Sequence, residues 1–227
     1  MHIDVVYEDN HIIAVNKPFC IPSQGDETGD ESVFSWTKEY IREKYQKPGN
    51  VYLALLHRLD RPVGGIMLLA KTSKAAARLS TQFQQRKVQK TYFAITHQPP
   101  PSDFGELQHY LRKLSGKNIM RAYTQEVAHS KLAKLTFRLR QTLTDSSLIE
   151  VHLLTGRRHQ IRVQLASIGC VIIGDVKYGK THFNPDKSIC LFAQQITFTH
   201  PTLKTPMNLS LPLPSHGPWT QFSYSPV

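Results

Sequence analysis

The sequence is short of acid. Seventeen Asp and Glu stand against 28 Lys and Arg, which leaves a formal charge of +11 over 227 residues. That excess favours polyanionic partners, nucleic acid before an anionic membrane surface, although a solvated basic surface explains charge alone equally well. Cysteine is scarcer still. Cys20, Cys170 and Cys190 are an odd number with no C-x-x-C spacing, which argues against a disulfide framework or a zinc knuckle and fits a reducing compartment. The eleven histidines contain no H-E-x-x-H or comparable ligand spacing, so no metal site is expected. No apolar run approaches the roughly 18 residues of a membrane span. The start, "MHIDVVYEDNHII", carries acids and lacks a basic region leading into an apolar one. The chain is therefore expected to be soluble and cytoplasmic, without a membrane partner. Internal repeats, heptads, low-complexity tracts and shifts of composition are missing too. One domain over residues 1–227 is the expectation.

What is present alternates between strand and helix patterns. Val5, Val6 and Tyr7 precede a turn at Glu8-Asp9-Asn10, and Ile12 to Val15 follow it. Residues 21–32 read as loop. A helix is expected from Val33 to about Tyr45, capped by Asp30 or Ser32. The apolar run 66–70 reads as a buried strand. A second helix is expected with Ser73 as N-cap, Ala76, Leu79 and Phe83 as its buried stripe, and an end near Lys87. Residues 88–96, "VQKTYFAIT", form a strand with Phe93 and Ile95 on one face and Tyr92 with Ala94 on the other. Residues 98–131 are polar and resist assignment. Strands return at 132–140 and 148–154. "TGRRHQIRVQLASIG" reads as a turn and a third helix, with Ile161, Leu165 and Ile168 facing the core and Gly169 after its end. "VIIGD" and "AQQITFTHP" close the series as short strands.

One stretch stands out. "HRLDRPVGGIMLLAK", residues 57–71, sets the single carboxylate of Asp60 among His57, Arg58 and Arg61, then runs through Gly64-Gly65 into apolar sequence. A surface loop of charges needs neither the glycines nor that run.

This segment resembles the central motif of the RluA family of pseudouridine synthases. Three others fall in that family's order: "YEDNHIIAVNKPFCIPSQG", "KVQKTYFAI" and "LLTGRRHQIRVQLASIGCVIIGDVKYG". "ICLFAQQITFTHP" matches its closing strand, so the resemblance runs from about Val5 to about Pro214. It implies an α+β, mixed α/β catalytic domain, with a mostly antiparallel mixed sheet flanked by helices and a central cleft. It also implies isomerisation of uridine in structured RNA, tRNA or ribosomal. No cofactor is expected, since no electrons move and the nucleophile is a side chain, and a monomer is the expectation. Many relatives carry an N-terminal S4 domain; here the first motif comes almost at once, so none is expected.

The resemblance assigns roles by position. Asp60 is the catalytic aspartate, and a carboxylate on a fixed turn suits a nucleophile or cation-stabiliser at the sugar. Arg162 corresponds to the arginine that the family pairs with it, and a nearby guanidinium would keep a buried carboxylate ionised. Tyr92 matches the tyrosine that stacks on the uracil or acts as base. Arg58 would fill the space of a flipped uridine or hold the flanking phosphate. Charge and nearness to the motifs suggest Lys17, Lys71, Lys74, Arg86, Lys87, Lys90 and Arg157 for the phosphates, each also explicable as a solvated surface charge. Leu191 would wall the uracil or simply fill a strand. His159 and Gln160 would brace the site.

Two positions depart from the family pattern. Val63-Gly64 stands where Thr-Ser is usual, and Phe192 replaces a common histidine. Two other classes compete. A glycosidase needs a facing pair of carboxylates, and Asp175, the acid of the arginine motif, reads as a turn residue. A non-catalytic RNA-binding protein would explain the charge without needing Asp60, Tyr92 and Arg162 together.

Overall fold

In a computed structural model of the chain, residues 3–25, 29–179 and 184–223 are described. They fall into two compact units, Met1–Gln89 with Ala193–Leu211 and Lys90–Phe192 with Pro212–Val227. Every strand register described is antiparallel, and the described residues carry three α-helices, which makes the fold mixed α+β as expected.

In the first unit, β1 (Asp4–Glu8) pairs with β2 (Ile12–Lys17), and β2 with β4 (Gly64–Ala70). The short β3 (Ala54–Leu55) adds to β4, and β11 (Pro206–Ser210) pairs with β10 (Leu191–Thr199). All seven residues of β4 are buried, which is why its sequence is a continuous apolar run and not an alternation. Helix α1 (Val33–Lys44) buries Val33, Thr37 and Ile41 at four-residue spacing. Of the two candidate caps it uses Ser32, whose hydroxyl accepts from the Ser35 N–H while Ser35 Oγ accepts from the Ser32 N–H. Helix α2 (Ser73–Gln84) begins one residue earlier than expected. Thr72 is its cap, with Oγ1 accepting from Ala75 N–H at 3.2 Å, and Ala75 and Leu79 are its fully buried positions. It stops short of Lys87 because Arg86 takes a left-handed conformation, φ 58°. The N–H groups of Arg86 and Lys87 then close on the carbonyls of Phe83 and Gln82.

In the second unit, β5 (Gln89–Thr96) pairs with β9 (Ser147–Leu153), β9 with β8 (Lys131–Thr142), β8 with β6 (Phe104–Lys113) and β6 with β7 (Met120–Tyr123). The unassigned segment 98–131 thus holds a hairpin. Its two-residue period is masked because His109 interrupts the inward face between buried Leu107 and Leu111, while half-buried Tyr110 stands on the other face. Helix α3 (Gln160–Ser167) packs on the inward face, where Val163 meets Leu111, Ala133, Met120 and Ala122. From Gln160 to Leu165 it is buried all round, not along the single stripe expected. Ile168 is only half-buried. "VIIGD" is not a strand: it forms turns, with one isolated bridge between Thr96 and Ile172. A short 3-10 helix, Gly217–Gln221, places Trp219 edge-on to Phe192 at 6.1 Å between ring centroids, where the family histidine is missing.

Candidate active site

In the first unit the stretch from β3 to β4 carries His57 to Arg61 without regular structure, and its backbone is fastened at several points. His57 Nε2 accepts the Leu68 N–H at 3.0 Å, and its ring stacks on Phe83 with centroids 5.3 Å apart. Ser23 Oγ donates to the Leu59 carbonyl at 2.7 Å and accepts the Leu59 N–H at 3.0 Å. The Val63 N–H closes a turn on the Asp60 carbonyl at 3.0 Å. Beneath that turn lies Lys17, only 1% exposed, whose ammonium donates to the carbonyls of Pro18, Arg61 and Val63 at 2.8, 3.1 and 2.5 Å. Burial pulls the Lys17 amine down to about 7, while Cys20 and Asp60 oppose the fall. Asp60 itself is half-buried, and Arg61 reaches out to Asp30 at 2.6 Å.

The two glycines do different things. Gly65 has φ 118°, and a Cβ there would sit 2.3 Å from the Ala193 carbonyl oxygen, so the backbone of β10 passes where a side chain would be. A Cβ on Gly64 would meet the Phe19 ring at 2.9 Å. The position that usually carries a hydroxyl in the family is here occupied by an aromatic edge from the first motif.

The second unit holds the other assigned groups. Tyr92 lies in β5 opposite Val151 and is buried. The expected contrast of faces is absent, since Thr91 through Thr96 are all buried. Leu191 is buried as well. Arg162 is 5% exposed and Asp175 1%, and the two form a two-pronged ion pair, Nε to Oδ2 at 2.7 Å and Nη2 to Oδ1 at 2.8 Å. The Arg162 guanidinium also lies over the Tyr178 ring, 5.3 Å from its centroid. The Tyr178 hydroxyl accepts the Met120 N–H at 2.9 Å and shares a 2.6 Å hydrogen bond with His159 Nδ1. Gln160 Oε1 accepts from Thr155 and from the Arg157 N–H, so Gln160, with His159 bonded to Tyr178, braces the start of α3.

Asp175 and Tyr178 were the residues missed. Asp175 is no mere turn residue. The signal available was "GDVKYG" lying beside a helix whose arginine would need a carboxylate if buried.

The seven proposed phosphate contacts sort unevenly. Lys17 is buried under its three carbonyls and does not face solvent. Lys71 is also taken up, by Glu8 and by the Asp9 carbonyl at 2.7 Å. Burial pushes the Glu8 carboxyl up, but hydrogen bonds from Lys44, Lys71 and Tyr45 outweigh it and hold Glu8 at about 2. Arg157 is half-buried with Nε on the Leu132 carbonyl at 3.0 Å. Lys90 is half-buried and its amine is pulled down by burial. Lys74, Arg86 and Lys87 are exposed, as is Arg58.

Known proteins resemble this chain in sequence and in fold. The family model for RNA pseudouridylate synthase matches residues 11–167. The chain is 34% identical over 214 residues to a protein of Rickettsia bellii named ribosomal large subunit pseudouridine synthase C, covering 93% of this chain and 69% of the relative. A protein of the same name from Buchnera aphidicola is 29% identical over 216 residues, covering 92% and 67%. Among solved structures, human RNA pseudouridylate synthase domain containing 4 superposes with a TM-score of 0.77 at 24% identity, covering 93% of this chain and 88% of that one. Human domain containing 1 gives 0.73 at 20%, covering 93% and 83%. Both likenesses bear on the fold.

Proposed function

The chain belongs to the RNA pseudouridylate synthase family, whose reaction is the isomerisation of uridine to pseudouridine in RNA, and from that premise we propose that it acts on large-subunit ribosomal RNA with Asp60 as nucleophile. The relatives named ribosomal large subunit pseudouridine synthase C support the choice of RNA. The observation that carries Asp60 is the fastening of its turn. Ser23 grips the residue before it, the Val63 N–H closes on its carbonyl, and a buried ammonium binds the carbonyls after it. A carboxylate on a backbone held that firmly is pre-oriented for attack, and orientation is a large part of what a nucleophilic group contributes.

The reaction balances without an external reagent. Asp60 engages the uridine, the N1–C1′ bond breaks, the uracil turns, and C5 bonds to C1′. C5 gives up its proton and N1 ends protonated. Tyr92 stacks on the uracil or takes the C5 proton. Arg162, fixed by Asp175, supplies positive charge. A uridine inside folded RNA must leave its stack first, and Arg58, exposed and without a hydrogen bond or ion pair among the described residues, is available to take its place. Leu191 lines the uracil.

The test is to map pseudouridines in ribosomal RNA from cells with and without this protein. Loss of one or more large-subunit sites is expected. An unchanged large-subunit map with a site lost from tRNA would overturn the choice of RNA.

A further inference from the structure

Strand pairs normally set unlike charges opposite one another, because like charges directly across a ladder repel. The hairpin of β6 and β7 does the reverse. Its register places Arg112 opposite Arg121 and Tyr110 opposite Tyr123. The alternation of side chains puts all four on one face, since Leu111, Met120 and Ala122 point the other way into the core with Val163. Both guanidinium groups crowd a single ring: Arg112 lies 5.2 Å and Arg121 5.5 Å from the Tyr123 centroid, and Arg112 Nη2 donates to the Tyr123 hydroxyl at 2.9 Å.

Several partly buried cations elsewhere in the fold are met by carboxylates. Lys71 has Glu8, Arg140 has Glu150, and Arg162 has Asp175. Among the described residues, Arg112, Lys113, Lys117 and Arg121 have no carboxylate partner. Residues 107–123 contain those four cations and no acid. Beside them lies a groove of about 330 Å³ lined by Arg112, Lys113 and His129. A pair of arginines held side by side against repulsion, with tyrosines next to them, has the chemistry of a phosphodiester and base site. The cations take the phosphate, and a base stacks on an aromatic face.

We infer that the outward face of the β6–β7 hairpin, built from Arg112, Arg121, Tyr110 and Tyr123, binds single-stranded nucleotides of the RNA substrate other than the uridine being isomerised. The inference rests on the reading of the chain as an RNA-modifying enzyme. It adds a surface that none of the sequence motifs pointed to. An acidic protein would satisfy the arginines but would leave the tyrosine pair unused, so RNA is the occupant favoured.

The experiment compares wild type with Arg121→Gln, with Arg112→Gln/Arg121→Gln and with Tyr123→Leu. Binding to oligouridylate and to a large-subunit ribosomal RNA transcript is measured across a salt series. Removing both arginines should weaken binding about tenfold and reduce the log affinity against log salt slope by roughly 1–2. Tyr123→Leu should weaken it by about fivefold or more with the slope unchanged. On the transcript, KM should rise while kcat at saturation holds. Arg121→Gln should not lower the thermal midpoint, because it relieves a like-charge pair, so a binding loss in that variant cannot be misfolding. Unchanged affinity and slope in the double variant would overturn the inference, as would a fall in kcat with affinity intact. Displacement of oligouridylate by polyglutamate at equal charge would overturn it in favour of an acidic protein. A wild-type chain that binds but never isomerises would count against the synthase reading and leave the binding comparison standing.

Discussion

The ammonium of Lys17 donates to the carbonyl of Val63 at 2.5 Å and so fixes the far end of the turn that begins at Asp60. The cation sits below the turn, out of water, and its charge acts on the carboxylate from inside the protein.

Lys17 should therefore leave a signature in stability against pH. Its folded pKa of about 7 lies below the free value of 10.5, so between those limits the unfolded chain binds more protons than the folded one. Stability then rises with pH across that window, and the contribution of Lys17 is smallest below about 7. Lys17→Met cannot titrate and leaves carbonyls without donors, at a cost of roughly 2 kcal/mol. Urea unfolding of both proteins should show the wild-type advantage growing from pH 7 to pH 10. An advantage that is constant or shrinks would mean that the amine is not held as a buried, depressed group.

Arg162 and Asp175 are the buried ion pair of the second unit, and breaking such a pair strands a charge. Asp175→Asn and Arg162→Met should each lower stability by roughly 3 kcal/mol. Arg162→Met/Asp175→Leu should recover at least half of that loss, because no charge is left unpartnered. If the guanidinium matters to the reaction, the double variant regains stability without regaining turnover. Additive losses in a denaturation cycle would show that the two side chains do not act as a pair.

Arg86 holds a left-handed conformation at the end of α2, where glycine is the unstrained choice. Arg86→Gly should raise stability by about 1 kcal/mol, which is about 2–4 °C in the thermal midpoint of a chain this long. Strain kept at an exposed cation is reasonable if the cation has a use. The same substitution should then weaken RNA binding and reduce its salt dependence. A stabilised variant with unaltered RNA binding would leave the strain without that explanation.

The sequence made the strand at 64–70, helix α1 and the Asp60 turn legible because each depends on neighbours in the chain. Apolar runs, a serine cap and a pair of glycines act over a few residues. What stayed hidden depends on distance. Lys17 and Lys71 read as phosphate contacts because charge is visible in sequence and burial is not. Only the folded chain brings the carbonyls of Arg61 and Val63 over one and Glu8 against the other. Asp175 looked like a turn residue since its partner lies a helix away, at Arg162. The hairpin at β6 and β7 was illegible for another reason. Its outer face carries Tyr110, Arg112, Arg121 and Tyr123, and the polar and aromatic character of that face masks the apolar alternation beneath.

The most direct test of the account is tritium release from RNA labelled at uridine C5, measured under single turnover with Asp60→Asn. The amide is nearly the same size and cannot act as a carboxylate nucleophile. Folding and RNA affinity should match wild type, and release should fall to background. Release at a wild-type rate from Asp60→Asn would contradict the assignment of Asp60 as nucleophile.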